Sequence, residues 1–326
     1  MKIYWSDKMK KYAVVLTALI VIASFSLLVG RISLSELLYS SQNEFFDMIL
    51  FEIRLPRLIA AFFIGASLSV AGAAFQAIFQ NPLVGPNILG VTSGAGFGAV
   101  VFILFFNEPF LVQIGAFVFG FIAVLMAYFI GNISDKNSKL MLVLAGIIVG
   151  ALFGALIAIV KYLADPNDKL PNIIYWLMGS LNFTSWSDLL FLLPMSLVGL
   201  FLLCSFSYKV NILSLSSDHA RFLGESRMLS LSIIILSTLV VSSSVAVSGI
   251  IGWVGLLVPH IVRMIFGANN LVVLPMSALI GGGYLILVDT VARSTIQSEI
   301  PLSILTALIG APLVGFIIIK KANQWF

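Results

Sequence analysis

Residues 110–131, FLVQIGAFVFGFIAVLMAYFIG, hold no charged side chain and one amide, Gln113. About 20 apolar residues are what an α-helix needs to cross the hydrocarbon layer of a bilayer. Reading outward in both directions, comparable runs recur at 12–30, 57–79, 88–106, 140–161, 188–206, 228–247, 249–267, 271–288 and 302–319, which makes ten predicted spans. The runs are continuously apolar and lack the in–out alternation of a lumen-lined barrel. In lipid, only helices or closed barrels satisfy every backbone amide and carbonyl. The expected fold class is therefore all-α, a polytopic bundle forming a single transmembrane domain over residues 1–326.

Composition agrees. Of 326 residues, 60% are hydrophobic and 10% charged, with a mean hydropathy of +1.11, whereas a soluble domain carries about a quarter charged residues. A water-soluble chain is excluded. The formal charge of +4 is spread along the chain rather than gathered into a stripe, so nothing points to nucleic acid. Cys204 is the sole cysteine, which leaves no intramolecular disulfide and no multi-cysteine metal site. Lys8, Lys10 and Lys11 precede the first run as they would in a secretory signal. That run is long, no small-residue cleavage pattern follows it and further spans come after, so it is read as a retained first span.

With the N-terminus inside, Arg31, Arg54, Arg57, Lys161, Lys169 and Arg293 fall in outer connections, and the remaining twelve of the 18 basic residues fall in inner ones. This bias places both termini in the cytoplasm. Two outer connections are too long for turns. Residues 31–52 carry Glu36, Glu44, Asp47 and Glu52 among aromatics and predict a short interfacial segment. Residues 164–187, with Pro166, Pro171, Trp176 and Trp186, predict a broken or re-entrant helix at the headgroup level. The inner connection 208–227 mixes Leu213, Leu215, Phe222 and Leu223 with Ser216, Ser217, Asp218, His219 and Arg221, the pattern of a surface helix that docks a partner. Glycines cluster as Gly90, Gly94, Gly96, Gly98 and as Gly281, Gly282, Gly283, where close helix approach explains them.

No Gly-Lys-Ser or Gly-Lys-Thr occurs, so the chain has no phosphate-binding loop and any ATP is used by a partner. His219 and His260 lack the spacing of a zinc hydrolase. No catalytic residue, metal ligand or cofactor is expected in this subunit. Asp188, Arg263 and Asp289 sit near predicted span ends, which argues against an ion-driven carrier with a charged coupling site.

Several separated segments together resemble one family. They are Arg54-Leu55-Pro56-Arg57, Asn81-Pro82-Leu83-Val84-Gly85-Pro86 leading to Leu89-Gly90, Leu144-Ala145-Gly146, Trp176-Leu177-Met178-Gly179-Ser180-Leu181 and Ala220-Arg221-Phe222-Leu223-Gly224. Further on come Gly252-Trp253-Val254-Gly255-Leu256-Leu257-Val258-Pro259-His260, Asp289-Thr290-Val291-Ala292-Arg293, Glu299-Ile300-Pro301 and Thr306-Ala307-Leu308-Ile309-Gly310-Ala311-Pro312. In this order they resemble the FecCD or BtuC-like permeases of bacterial ATP-binding-cassette importers for iron-siderophores, haem and vitamin B12. The resemblance implies a type II importer permease fold of ten spans in a bacterial or archaeal cytoplasmic membrane. It implies a homodimer or paralogous heterodimer, two cytoplasmic ATPases that bind ATP and Mg, and an extracytoplasmic substrate-binding protein.

It also implies residue roles. Arg54, Arg57 and Arg293 match outer arginines that pair with glutamates on the binding protein, a task suited to a forked guanidinium. The alternative is that they anchor helix ends or pair with Glu52 and Glu299 in this chain. Residues 214–224 match the helix that rests on the ATPase, with Asp218, Ala220, Arg221, Phe222, Leu223 and Gly224 as its contacts. Ser216 stands where the family usually has glycine, and Ser216 or Ser217 can serve as an N-cap. The inner gate falls near Ser138, Lys139 and Leu140, although small polar residues are usual there. His260 is read as structural. A ferric siderophore leads over haem, cobalamin and oxyanions as the cargo. The competing readings are a stand-alone secondary carrier or channel, and a membrane scaffold.

Overall fold

The computed structural model describes residues 2–30, 47–106, 108–133, 138–215, 227–295 and 298–325. Twelve α-helices are present among them: α1 (Lys2–Leu28), α2 (Leu55–Ile78), α3 (Val91–Phe105), α4 (Pro109–Gly131), α5 (Lys139–Leu163), α6 (Lys169–Leu177), α7 (Trp186–Ser205), α8 (Ser207–Leu213), α9 (Arg227–Ser248), α10 (Val254–Phe266), α11 (Asn270–Ser294) and α12 (Leu302–Trp325). A π-helical turn, Met48–Arg54, leads into α2, and a 3-10 turn, Pro86–Leu89, leads into α3. Seven of the described helices are long and apolar enough to cross a membrane, and α3, α10 and the apolar part of α12 are shorter. These ten occupy the ten runs expected from hydropathy.

The layout follows from where small residues sit. Helix α2 is the hub and packs against α7, α9, α10 and α11. Its sequence from Ala60 to Ala77 is dominated by alanine, glycine and serine, nearly all of it buried. Lipid supplies no hydrophobic drive between helices, so association rests on close packing, and small side chains let backbones approach. A methyl group at Gly72 would collide with the Gly255 carbonyl of α10, and one at Gly65 would collide with the Gly281 carbonyl of α11. Gly94 and Gly98 on α3 meet the backbone of α4 at Phe119 and Gly115 in the same way. The glycine clusters therefore sit at helix crossings. By contrast, only 6% of the apolar window of α1 is buried, and that helix lies on the periphery against α11 and α2.

One predicted span differs from the expectation. The run 249–267 is helical only from Val254, because Gly249 has φ 69° and Trp253 has φ 68°. Trp253 is the centre of a tight turn closed by Val254 N–H to the Gly252 carbonyl at 2.8 Å. Such a conformation is an outlier for a bulky residue, and its indole stem packs on Gly310 of α12. Irregular backbone at membrane depth survives where protein covers it. Here the Ser180 amide donates to the Ser248 carbonyl at 2.8 Å, and the Leu302 amide donates to the Gly179 carbonyl at 2.9 Å. The segment around Trp176–Leu181, the end of α9 and the start of α12 are thus knitted by main-chain bonds.

The 164–187 connection contains α6 followed by a turn and a capping box. The Ser185 amide and hydroxyl both donate to Asp188, each at 2.7 Å, at the start of α7. Of the 31–52 connection, only its end in the π-helical turn lies within the described residues.

Candidate functional site

The chain has two chemically different ends. At one, α2 and α11 bring together residues more than two hundred positions apart. Arg57 donates to both carboxylate oxygens of Asp289, from Nε at 3.0 and 2.9 Å and from Nη2 at 2.8 Å. The same guanidinium reaches Glu299 from Nη1 at 3.0 Å and Nη2 at 2.8 Å. One fork thus grips two carboxylates, which suits a planar group with five donors. Arg293, one turn beyond Asp289, has its Nε 3.9 Å from that carboxylate. Its Nη2 donates to the carbonyl and hydroxyl of Ser26 on α1. Arg54 Nη1 donates to the carbonyls of Leu27 at 2.7 Å and Leu28 at 3.2 Å, meeting the negative end of the α1 dipole. Gly30 leaves the space that this guanidinium fills.

All three arginines proposed for docking are therefore buried, at 5–7% exposure, and committed to contacts within the chain. For Arg57 the geometry is the internal pairing with Glu299 that stood as the alternative. Hydropathy placed Asp289 only at a span boundary. That it faces Arg57 follows from the crossing of α2 and α11, which no local pattern carries.

The same end holds a cavity of about 320 Å³ between α3, α4, α6, α7 and α9. Gln113, Asn172, Tyr175, Ser180, Thr184 and Asp188 contribute polar atoms to a wall that is otherwise apolar, with Trp176 and Phe183 prominent. The Gln113 amide donates to Asp188 Oδ1, and the Tyr175 and Ser180 hydroxyls lie 3.2 Å apart.

The opposite end is built from amides. The Asn211 side chain, on α8, donates from Nδ2 to Asn269 Oδ1 at 2.8 Å and accepts from the Asn270 amide at 2.8 Å. Helix α2 finishes with the Gln80 amide donating to the Ala77 carbonyl at 3.3 Å and the Asn81 amide donating to the Gln76 carbonyl at 3.2 Å. That is a Schellman ending, whose left-handed position is usually glycine. Here it is Gln80, at φ 50°. A side chain in the left-handed region costs roughly 1–2 kcal/mol. The Gln80 amide donates to the carbonyls of Leu213, at 3.1 Å, and Leu215. Arg263, on α10, reaches back to Gln76 and to the Ala73 carbonyl on α2.

The predicted gate residues lie at this end. Ser138 caps α5 by accepting from the Met141 amide at 3.2 Å, Lys139 opens the helix, and Leu140 is 67% exposed. Asp218, Ala220, Arg221, Phe222, Leu223 and Gly224 lie outside the described residues. The described flank of that connection is α8, whose Val210 and Leu213 are fully buried. His260 is buried within α10. Among the described residues, no group of three or more His, Cys, Asp or Glu side chains gathers as a metal site. Sequence reading missed Gln80, Asn211 and Asn269. The available signal was a long side chain where a helix C-terminus calls for glycine.

The sequence profile of the FecCD transport family matches residues 16–320. The chain is 41% identical over 326 residues to the molybdate import system permease protein MolB of Haemophilus influenzae, covering 96% of this chain and 97% of that one. It is 35% identical over 323 residues to the hemin transport system permease protein HmuU of Yersinia pestis, covering 95% of each. Its fold superposes with a TM-score of 0.89 on a solved structure described as an inward-facing conformation of a metal-chelate type ABC transporter. That match has 41% sequence identity and covers 95% of this chain and 99% of the other. With the motif series, the all-helical bundle and these full-length correspondences in agreement, the chain belongs to the FecCD transport family, as a permease subunit of an ABC importer.

Proposed function

We propose that this permease imports a metal-containing solute, a ferric chelate first and molybdate second, handed over at the Arg57 end and driven by ATP hydrolysis on partner subunits at the Asn211 end. The carrying observation is the end-to-end correspondence with importer permeases of one fold. Molybdate enters as the second reading because MolB shares 41% identity with this chain. Both termini are assigned to the cytoplasm on the charge bias, which puts the Arg57 end outside. The subunit works as a pair, either two copies or two paralogues, and needs no cofactor of its own, since ATP and Mg bind the partner ATPase. The segment containing Asp218, Ala220, Arg221, Phe222, Leu223 and Gly224 seats on that ATPase, and the region of Ser138, Lys139 and Leu140 borders the inner gate.

Docking of the binding protein is assigned to the end that carries Arg54, Arg57 and Arg293. Because Glu299 already occupies one side of the Arg57 fork, an incoming glutamate reaches that guanidinium by exchanging with it. The solute path needs only weak contacts, since tight binding would slow exit, and specificity lies with the binding protein.

The experiment is uptake by cells with and without this chain, offering radiolabelled ferric chelate, haemin, cobalamin and molybdate. It is paired with calorimetry of the same solutes on the cognate binding protein. Loss of uptake for one solute that the binding protein also captures identifies the cargo. Uptake by the purified chain alone in vesicles under an ion gradient would replace this reading with that of a secondary carrier.

A further inference from the structure

The end of α2 contains a residue whose backbone argues against its presence. The Schellman ending puts Gln80 at φ 50°, where glycine is relaxed and any β-carbon is strained. Strain of this kind persists where the surroundings require the side chain. What the side chain does is specific: its amide donates to two carbonyls, that of Leu213 at the end of α8 and that of Leu215 two residues beyond it. The Leu213 carbonyl belongs to the last turn of α8, where the helix ladder supplies no donor, and the Leu215 carbonyl lies just before residue 216. On its other side, α8 is tied by Asn211 to Asn269 and Asn270, the start of α11. So one short helix with a buried apolar face is hydrogen-bonded to the inner ends of both α2 and α11. These two form one of the two most extensive helix pairs among the described residues. Their far ends are locked by Arg57 and Asp289.

We infer that Gln80 is a positioning residue for transport, fastening the root of the 216–226 connection to α2 so that a push delivered there moves α2 and α11 as one rigid beam. Without this bond, a displacement arriving at residue 216 is taken up by bending the two residues after α8 before it reaches the helix and the pair. The beam carries the displacement to the Arg57 end because it is pinned at both ends and its glycine crossings leave no compressible side-chain layer. The inference rests on the reading that the 216–226 connection seats on the ATPase.

The test uses the complete importer in nanodiscs with its co-purified ATPase, comparing wild type with Gln80→Gly and Gln80→Lys. Glycine relaxes the backbone and deletes the donor. Lysine keeps the left-handed strain and a long donor. The readout is hydrogen exchange of residues 164–187, at the far end, before and after trapping with ATP and vanadate, alongside the rate of ATP hydrolysis. Gln80→Gly is expected to melt no lower than wild type, to retain its ATPase and hydrolysis rate within twofold, and to show an exchange response at least fivefold smaller. Gln80→Lys is expected to respond within twofold of wild type. A full response from Gln80→Gly overturns the inference, as does a Gln80→Lys variant as unresponsive as Gln80→Gly. If the wild-type chain retains no ATPase, the underlying reading of the connection falls and the inference with it. That outcome is distinct from a retained ATPase with an indifferent Gln80.

Discussion

The two ends of the α2–α11 pair are held by opposite chemistries. At the Arg57 end, a guanidinium and two carboxylates are nearly removed from solvent, with side-chain exposures of 6%, 3% and 9%. At the Asn211 end the ties that α8 makes to the pair are neutral amides and carbonyls, partly exposed. A buried charge cluster tolerates no missing member, because the partner left behind keeps its desolvation cost. A neutral amide bond exchanges with water at modest cost. Loss of one member is therefore expected to cost far more at the first end than at the second.

Three measurements break or sharpen this contrast. Arg57→Ala strands Asp289 and Glu299, and Arg293, 3.9 Å from Asp289, replaces only part of the lost partner. Reversible unfolding in mixed micelles should show a loss of about 3–5 kcal/mol. Removing Arg57, Asp289 and Glu299 together should cost less than removing Arg57 alone. If the triple variant is the worse of the two, the cluster is worth more than its desolvation and the contrast is wrong in kind. Next, Asn211→Ala removes the acceptor for the Asn270 amide and should cost about 1–2 kcal/mol in the same assay. A loss as large as that from Arg57→Ala would make the two ends equivalent. Last, Lys169→Ala deletes an ion pair to Asp168 whose carboxylate side chain is 68% exposed. It should change stability by less than about 0.5 kcal/mol, which shows that burial, not charge at this end, sets the large value.

What could be read locally was read well. Ten apolar runs became ten helices because a lipid-facing backbone must satisfy itself within each segment. The glycine clusters marked crossings because only small residues permit them. The run at 249–267 was misplaced at its start, since hydropathy cannot register the positive φ of Trp253. The three arginines singled out by motif were legible as residues, yet their burial was not, because exposure depends on which helices cross. Gln80 was passed over because it sits in a turn whose strain appears only in the backbone dihedral.

The amino-acid sequence by itself determined that this chain is a membrane bundle, where its apolar helical segments lie, and which family motifs it carries. All of these are sums over local hydrophobicity and short spacing. Only the tertiary structure decided that Arg57 answers to Asp289 and Glu299, and that Gln80 answers to Leu213 and Leu215. Those partners lie more than a hundred residues apart and meet through the packing of α2 against its neighbours, a property of the bundle rather than of any segment.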